Sequence, residues 1–198
     1  MDSTQFDILK ELGNIGAGNA TTALSQMINA KVDMNIPKVE LLEFKELSDM
    51  VGGAETIVAG ILLMLEGDVD GMMMFMLDRT SARNLVSLLM GTEIPDSKKF
   101  SELEISALKE IGNIISGAYL SSLSALTNLT IISSVPYLSI DMAGAILSVP
   151  AIEFGKVGDK ALLIESQFAE NEGNMINGYF IMIPTVKSYS KIMTSLGM

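Results

Sequence analysis

The stretch "ELGNIGAGNA" at residues 11–20 decides the fold, because the chain repeats it with changes as "EIGNIISGAY" at residues 110–119. Both copies read Glu-x-Gly-Asn, both carry a further glycine four residues after the asparagine, and they lie 99 positions apart. Each copy sits in a segment with helical spacing of apolar residues, where an interior glycine costs about 0.5 to 1 kcal/mol relative to alanine. A feature other than helix propensity must therefore select these glycines twice.

The repeat extends beyond these two stretches. With the same shift of 99, identical residues recur from Leu9 and Leu108 as far as Pro37 and Pro136. Residues 71–91 and 178–197 also share a pattern, an apolar run followed by a polar break and a helical segment that ends at glycine. We therefore predict that residues 1–198 form a single domain of two related halves, about 1–92 and 99–198.

The pattern of each half predicts an α+β fold. We expect a continuous antiparallel β-sheet with two long amphipathic helices packed on it and the halves related by a pseudo-twofold axis. The first half predicts a helix over 4–29, extended chain over 31–44, strands over 55–66 and 69–78, and a helix over 80–90 that stops at Gly91. The second half predicts a helix over 101–129, a strand over 130–139, a short helix over 141–150, strands over 157–168 and 175–184, and a helix over 185–196.

Composition excludes several functions. The formal net charge is −11 and no run of Lys and Arg offsets it, which argues against nucleic acid and against an anionic membrane surface. His and Cys are absent, so no disulfide, thiolate nucleophile, Ser–His pair or zinc site of the usual kind can form. The apolar runs 57–65 and 71–77 are shorter than the roughly 18 residues of a membrane span, so we expect buried strands filled partly by Met and no membrane insertion. The N-terminus lacks a signal peptide pattern, and we expect a cytoplasmic protein.

Both long helices carry a narrow polar stripe. On a helix that turns about 100° per residue, the four stripe positions fall at roughly 0°, 40°, −20° and 20°. Ile8, Leu12, Ile15 and Ala23 are expected on the side that faces the core. The stripe residues are Asp7, Glu11, Asn14 and Gly18 in the first helix and Ser106, Glu110, Asn113 and Gly117 in the second.

The glycines are explained by close approach of another backbone. For Gly18 and Gly117, which share the polar stripe, we predict a partner protein; for Gly13 and Gly112, internal packing is an equal alternative. Glu and Asn on an exposed helix face are ordinary by themselves. Their matched phases in both copies favour a function, because exposed residues usually diverge faster than buried ones.

The Glu–Asn pair resembles half of an active site. Asn does not titrate, but its amide can hold a water molecule along one line of attack, which is most of what phosphoryl transfer asks of a catalyst. Glu is better suited to anchor a cation than to carry a proton. Neither half offers a metal or a cationic clamp for a phosphate, so the substrate would have to supply it. The acidic stretch "GDVDG" at 67–71 lacks the ligand spacing of a calcium loop and predicts a turn.

At these residues the sequence resembles the CheC family of chemotaxis phosphatases, related to CheX and FliY, whose motif reads Asp/Ser-x-x-x-Glu-x-x-Asn-x-x-x-Gly. The resemblance covers the whole chain, and the motif occurs twice in register. It implies a phosphatase acting on the aspartyl phosphate of a CheY-like response regulator, with catalytic Asn14 and Asn113 orienting water and Glu11 and Glu110 pairing with a lysine of the regulator.

The resemblance has further implications for partners. Asp7, Gly18, Ser106 and Gly117 would complete the partner-binding surface. The chain would need no cofactor of its own, since the regulator would hold Mg²⁺. The receptor deamidase CheD is an expected second partner, with "LSIDMAGAILS" at 138–148 as the corresponding segment. The alternative is a non-catalytic adaptor, either a scaffold like those of the flagellar switch or a module that docks CheD.

Overall fold

A computed structural model describes residues 3–29, 31–94, 99–154, 160–169 and 175–197. The helices in these ranges are α1 (Ser3–Ile28), α2 (Phe44–Met50), α3 (Arg79–Met90), α4 (Glu102–Thr127), α5 (Ala143–Phe154) and α6 (Val186–Ser195). The strands are β1 (Asp33–Glu43), β2 (Ile57–Gly67), β3 (Gly71–Asp78), β4 (Ile131–Ser133), β5 (Tyr137–Met142), β6 (Lys160–Ala169) and β7 (Met175–Pro184).

The described strands form one antiparallel sheet that interleaves the two halves of the chain. Its order is β1-β6-β7-β3-β2-β4, and β5 also pairs with β2. The outer strand β1 of the first half therefore lies beside β6 of the second, while β5 of the second half lies beside β2 of the first. The two hairpins meet where β3 pairs with β7, with Phe75 opposite Phe180. The predicted α+β class with an antiparallel sheet and long helices is confirmed.

Helices cover both faces of the sheet. Side chains of α1, α3, α4 and α6 join the larger buried cluster, together with Phe75 and Phe180 from the central strands. Leu47 of α2 and Ile146 of α5 belong to a second cluster that includes other residues of β3. Because side chains alternate along a strand, these two clusters lie on opposite faces.

Methionine fills much of the centre of the sheet. Met72, Met74 and Met76 of β3 belong to the second cluster, and Met73 between them belongs to the larger one. All four side chains are buried. The expectation that methionine fills buried strands is confirmed.

Most predicted elements are confirmed, and two are corrected. The strand predicted over 130–139 is interrupted, because the chain leaves the sheet between β4 and β5 and Val135 is 87% exposed there. Helix α2 has no counterpart among the predicted elements; it begins where the backbone N–H of Glu43 donates to Glu46 Oε2 at 2.9 Å. The start of the strand predicted over 157–168 and part of the segment between the halves lie outside the described residues.

The two halves match in their local geometry. Helices α1 and α4 are followed by Asn29 and Asn128, both in the left-handed region with φ of 53° and 56°. A serine hydroxyl links a helix to the chain of the other half in each case. Ser188 Oγ accepts from the backbone N–H of Asp70 at 2.8 Å, and Ser81 Oγ accepts from the backbone N–H of Asn177 at 3.3 Å. Matching hydrogen bonds of this kind are expected of two related halves. The duplication itself and the single-domain assignment of 1–198 stay predictions.

The buried side of α1 differs from the expected one. Ile15 is 36% exposed, and Ile8 and Ala23 are only half-buried, whereas Leu12 is buried as expected. The buried arc lies at roughly 140° to 280° from Asp7, opposite the polar stripe. It is built largely from small residues, and its members are Leu9, Leu12, Gly13, Gly16, Ala17, Ala20 and Leu24.

Candidate functional site

Helices α1 and α4 approach each other closely because a glycine lies at their contact. A Cβ on Gly16 would lie 2.4 Å from Cδ1 of Tyr119, a distance that real side chains do not tolerate. The Tyr119 ring is buried and stacks on Phe180 with the ring centroids 4.4 Å apart. A hydrogen bond from Asn19 Nδ2 to Ser122 Oγ at 3.1 Å joins the same two helices. The two helices are therefore fixed to each other as well as to the sheet.

The glycines that follow each Glu point inward. A Cβ on Gly112 would lie 2.6 Å from Cδ1 of Ile61 in β2, so this glycine lets α4 lie close to the sheet. A Cβ on Gly13 would lie 3.4 Å from Cγ2 of Ile36, at the near limit of ordinary van der Waals contact on the inner side of α1. Of the two alternatives left open by the sequence, internal packing explains Gly112, and both glycines lie on the buried side of their helices.

The polar stripes face outward. A Cβ on Gly18 or Gly117 would meet nothing within 4 Å, so no internal contact requires a glycine at either position. Within the part of the chain that the structure describes, no hydrogen bond or ion pair engages the Glu and Asn side chains of the stripes. The exposed members are Asp7, Glu11, Asn14 and Gly18 on α1 and Ser106, Glu110 and Asn113 on α4, while Gly117 is half-buried.

A shallow groove of about 500 Å³ begins at Gly117 and lies between α4 and β4. Sequence reasoning did not find it, since its second wall depends on where β4 pairs with β2. No local pattern in the sequence marks that wall. The groove is lined by Gly117, Leu120, Ser121, Ser124, Ala125, Ile131 and Ser133.

The acidic turn at 67–71 has a structural role. Asp68 Oδ1 lies 3.0 Å from Lys191 Nζ, and Asp68 Oδ2 accepts from the backbone N–H of Thr130 at 3.0 Å. The hydrogen bond from Thr130 and then the Lys191 ammonium lower the pKa of Asp68 below its usual value. Gly67 has a φ of 104°, as a turn requires. The predicted turn is confirmed.

The described residues contain neither a group of side chains suited to hold a metal ion nor a helix suited to span a membrane. No group of three or more acidic side chains there is arranged to hold a metal ion. No helix among those residues is long and apolar enough to cross a membrane. What the stripes offer is an amide, a carboxylate and an open stretch of backbone on a rigid helix, which can complete a site on another protein.

Comparison with known proteins agrees with this description. The sequence model of the CheC-like family matches residues 5–41 and 103–140, ranges that contain both stripes. The chain is 39% identical over 196 residues to the CheY-P phosphatase CheC of Bacillus subtilis, covering 98% of this chain and 94% of that protein. It is 28% identical over 137 residues to the flagellar motor switch phosphatase FliY of the same organism, covering 69% of this chain and 35% of that protein.

A solved structure shares the fold. The crystal structure of Thermotoga maritima FliY superposes with a TM-score of 0.77 at 20% identity, covering 100% of this chain and 98% of that one. The shared fold is an antiparallel sheet flanked by long helices, and in this chain those helices bear the exposed Glu–Asn stripes. The chain belongs to the CheC-like family.

Proposed function

We propose that this protein hydrolyses the aspartyl phosphate of a CheY-like response regulator and so ends a chemotaxis signal. The observation that carries the proposal is the paired exposure of Glu and Asn beside an open glycine on both long helices. The 39% identical Bacillus subtilis relative, a CheY-P phosphatase, supports the same activity.

In this mechanism Asn14 and Asn113 each enter the phosphorylation pocket of a bound regulator. The side-chain amide accepts from and donates to one water molecule, and so holds it in line with the phosphorus–oxygen bond that breaks. The water oxygen bonds to phosphorus, the regulator's aspartate leaves as a carboxylate, and inorganic phosphate is released. The packing of α1 on α4 fixes the backbone positions from which the two amides project.

Glu11 and Glu110 anchor the regulator in this proposal. Each carboxylate pairs with a lysine of the regulator's pocket, and the contact becomes stronger once the interface excludes water. The regulator supplies Mg²⁺ and the remaining positive charge for the phosphoryl oxygens, so the phosphatase acts without a cofactor of its own. The rest of each stripe borders the same contact, where the glycines let the regulator's backbone approach the helix; these residues are Asp7, Gly18, Ser106 and Gly117.

The test is the lifetime of the phosphorylated regulator in the presence of site variants. Asn14→Ala and Asn113→Ala should each lower the turnover of their own site by about 100-fold, because a misplaced water costs about that factor. The double variant should leave only the regulator's own decay. Gln26→Ala is a matched control, since Gln26 is an exposed amide on α1 that lies roughly 100° from Asp7 and outside the stripe.

The outcomes separate the two candidate functions. All the substituted positions are exposed, so circular dichroism should show an unchanged fold in every variant. A double variant that still shortens the phosphoryl lifetime as the parent does would refute the mechanism. A parent protein that binds the regulator without shortening this lifetime would instead favour the adaptor.

We also propose CheD as a second partner that binds through residues 138–148. Support comes from position, since β5 lies at the edge of the sheet on β2 and Ile140 and Met142 are 37% and 45% exposed. Edge strands with exposed apolar side chains commonly pair with other chains. Ile140→Lys should abolish co-elution with CheD and leave the phosphatase rate unchanged.

A cytoplasmic location stays a prediction.

A further inference from the structure

The groove beside Gly117 extends the second stripe along α4. Gly117 lies one turn beyond Asn113, at about 6 Å along the axis, and Ala125 lies at about 18 Å. The open backbone of Gly117 is therefore both the end of the stripe and the start of the groove. A protein docked on the second stripe would therefore contact the groove as part of the same continuous surface.

The size of an ordinary interface places the groove under the docked regulator. A specific complex buries about 800 Å² on each partner, which corresponds to a roughly circular patch of about 16 Å radius. With the phosphoryl group centred on Asn113, this patch covers the groove from Gly117 past Ser121, and Ala125, at about 18 Å, lies just beyond its edge, where a longer side chain would reach into it. The groove is thus too close to the site for a second, independent protein to occupy it at the same time.

The lining indicates what the groove accepts. None of its residues is ionisable; Leu120 and Ile131 provide apolar surface, and Ser121 and Ser133 provide hydroxyl groups from the two walls. A peptide segment with one apolar side chain and free backbone N–H and C=O groups suits this lining better than a charged tail does. Loops present such groups, because their backbone is not paired in a helix or sheet, and binding pockets are commonly bordered by loops.

Two of the matching positions of the first half carry much larger side chains. At a shift of 99, Gln26 corresponds to Ala125 and Met34 corresponds to Ser133. Met34 is half-buried and packs against the main core cluster. These two side chains distinguish the first half from the second at the positions that line the groove.

We propose that this groove seats a loop of the same response regulator whose phosphoaspartate Asn113 addresses, and that Ser121, Ala125 and Ser133 help to select the regulator at the second site. The inference rests on the proposed phosphatase function. It adds a specificity element to one of the two sites, while the water-orienting chemistry is the same in both.

The experiment fills the groove with the residues of the first half and isolates each site. In an Asn14→Ala background, which leaves the second site, Ala125→Gln and separately Ser133→Met should raise the KM for phosphorylated regulator about tenfold and leave kcat nearly unchanged. Both positions are exposed, so thermal melts should stay near the parent's. In an Asn113→Ala background, which leaves the first site, the same substitutions should change neither constant.

Leu126→Gln is the matched control, since Leu126 is 41% exposed on α4 and outside the groove lining. An unchanged KM for both filled variants in the Asn14→Ala background would overturn the inference, as would an equal rise at the first site. Failure of the proposed function gives a different result, because the Asn14→Ala protein would then show the same turnover with and without Asn113.

Discussion

Two glycines of α1, two positions apart, should respond to alanine in opposite ways. Gly16 faces the buried ring of Tyr119, and Gly18 faces open space. Alanine removes the same conformational cost at both positions, about 0.5 to 1 kcal/mol in favour of the folded helix. The contact made by the new methyl group therefore decides the sign of each effect.

At Gly16 the methyl group would lie 2.4 Å from the buried Tyr119 ring, which would have to shift against Phe180, on which it is stacked. Overpacking of this kind costs about 1 to 3 kcal/mol, and an overlap of this size belongs near the upper end. After subtracting the helix gain, Gly16→Ala should destabilise the protein by about 2 kcal/mol. Gly18→Ala should stabilise it by about 0.5 to 1 kcal/mol.

Thermal unfolding followed by circular dichroism measures both effects. For a chain of this length 1 kcal/mol moves Tm by about 2 to 4 °C, so Gly16→Ala should lower Tm by about 4 to 8 °C and Gly18→Ala should raise it by about 1 to 4 °C. In an Asn113→Ala background, Gly18→Ala should also slow dephosphorylation, since its methyl group occupies the surface proposed for the regulator. A Gly18→Ala protein that is less stable than the parent, or that keeps full activity at the first site, would refute this reasoning.

Two further perturbations test local structure. Asp68→Asn should lower the stability of the protein at neutral pH. Because the folded pKa of Asp68 is depressed, the stability difference from the parent should vanish as pH falls through that folded pKa. Denaturant unfolding at pH 7 and at successively lower pH measures this difference, and a constant difference would contradict the prediction. Ser101→Ala removes the hydroxyl that accepts from the Glu104 N–H at 3.3 Å at the start of α4, which should cost about 1 kcal/mol, while Ser101→Asp should retain most of the stability in the same melts.

The long helices are predictable because their signals are local and strong. Helical spacing, the repeat at a shift of 99 and the glycine at position 91 place α1, α3 and α4 within a few residues of their observed bounds, and Gly91 indeed adopts a left-handed φ of 65°. The outward direction of the two stripes follows from the same spacing. Helix α2 escapes prediction because its seven residues are too few to establish a period.

The prediction for the buried side of α1 is wrong for a physical reason. The expectation counts large apolar residues such as Ile15 as core-facing, but α1 packs against α4 as well as the sheet, and such a close contact is made by small residues. Gly16, Ala17 and Ala20 carry little hydrophobic signal, although all three are buried. The groove is not predictable for a related reason. It lies between α4 and β4, and only the pairing of β4 with β2 places that strand beside the helix.

The same packing explains how so few groups could suffice for catalysis. A water-orienting amide is useful only if it is held within about 0.5 Å of its productive position, and an exposed side chain has no neighbours to hold it there. The bound regulator must therefore orient the amide itself, while the packed backbone beneath fixes where the side chain begins; in α1 the buried glycine side lies directly opposite the stripe. Substitutions in the α1–α4 contact, such as Gly16→Ala, should therefore lower kcat in protein that is still folded, whereas Asn14→Ala should remove the activity of the first site without lowering Tm. In α1, the residues that set stability and those proposed for the chemistry lie on opposite sides of one helix.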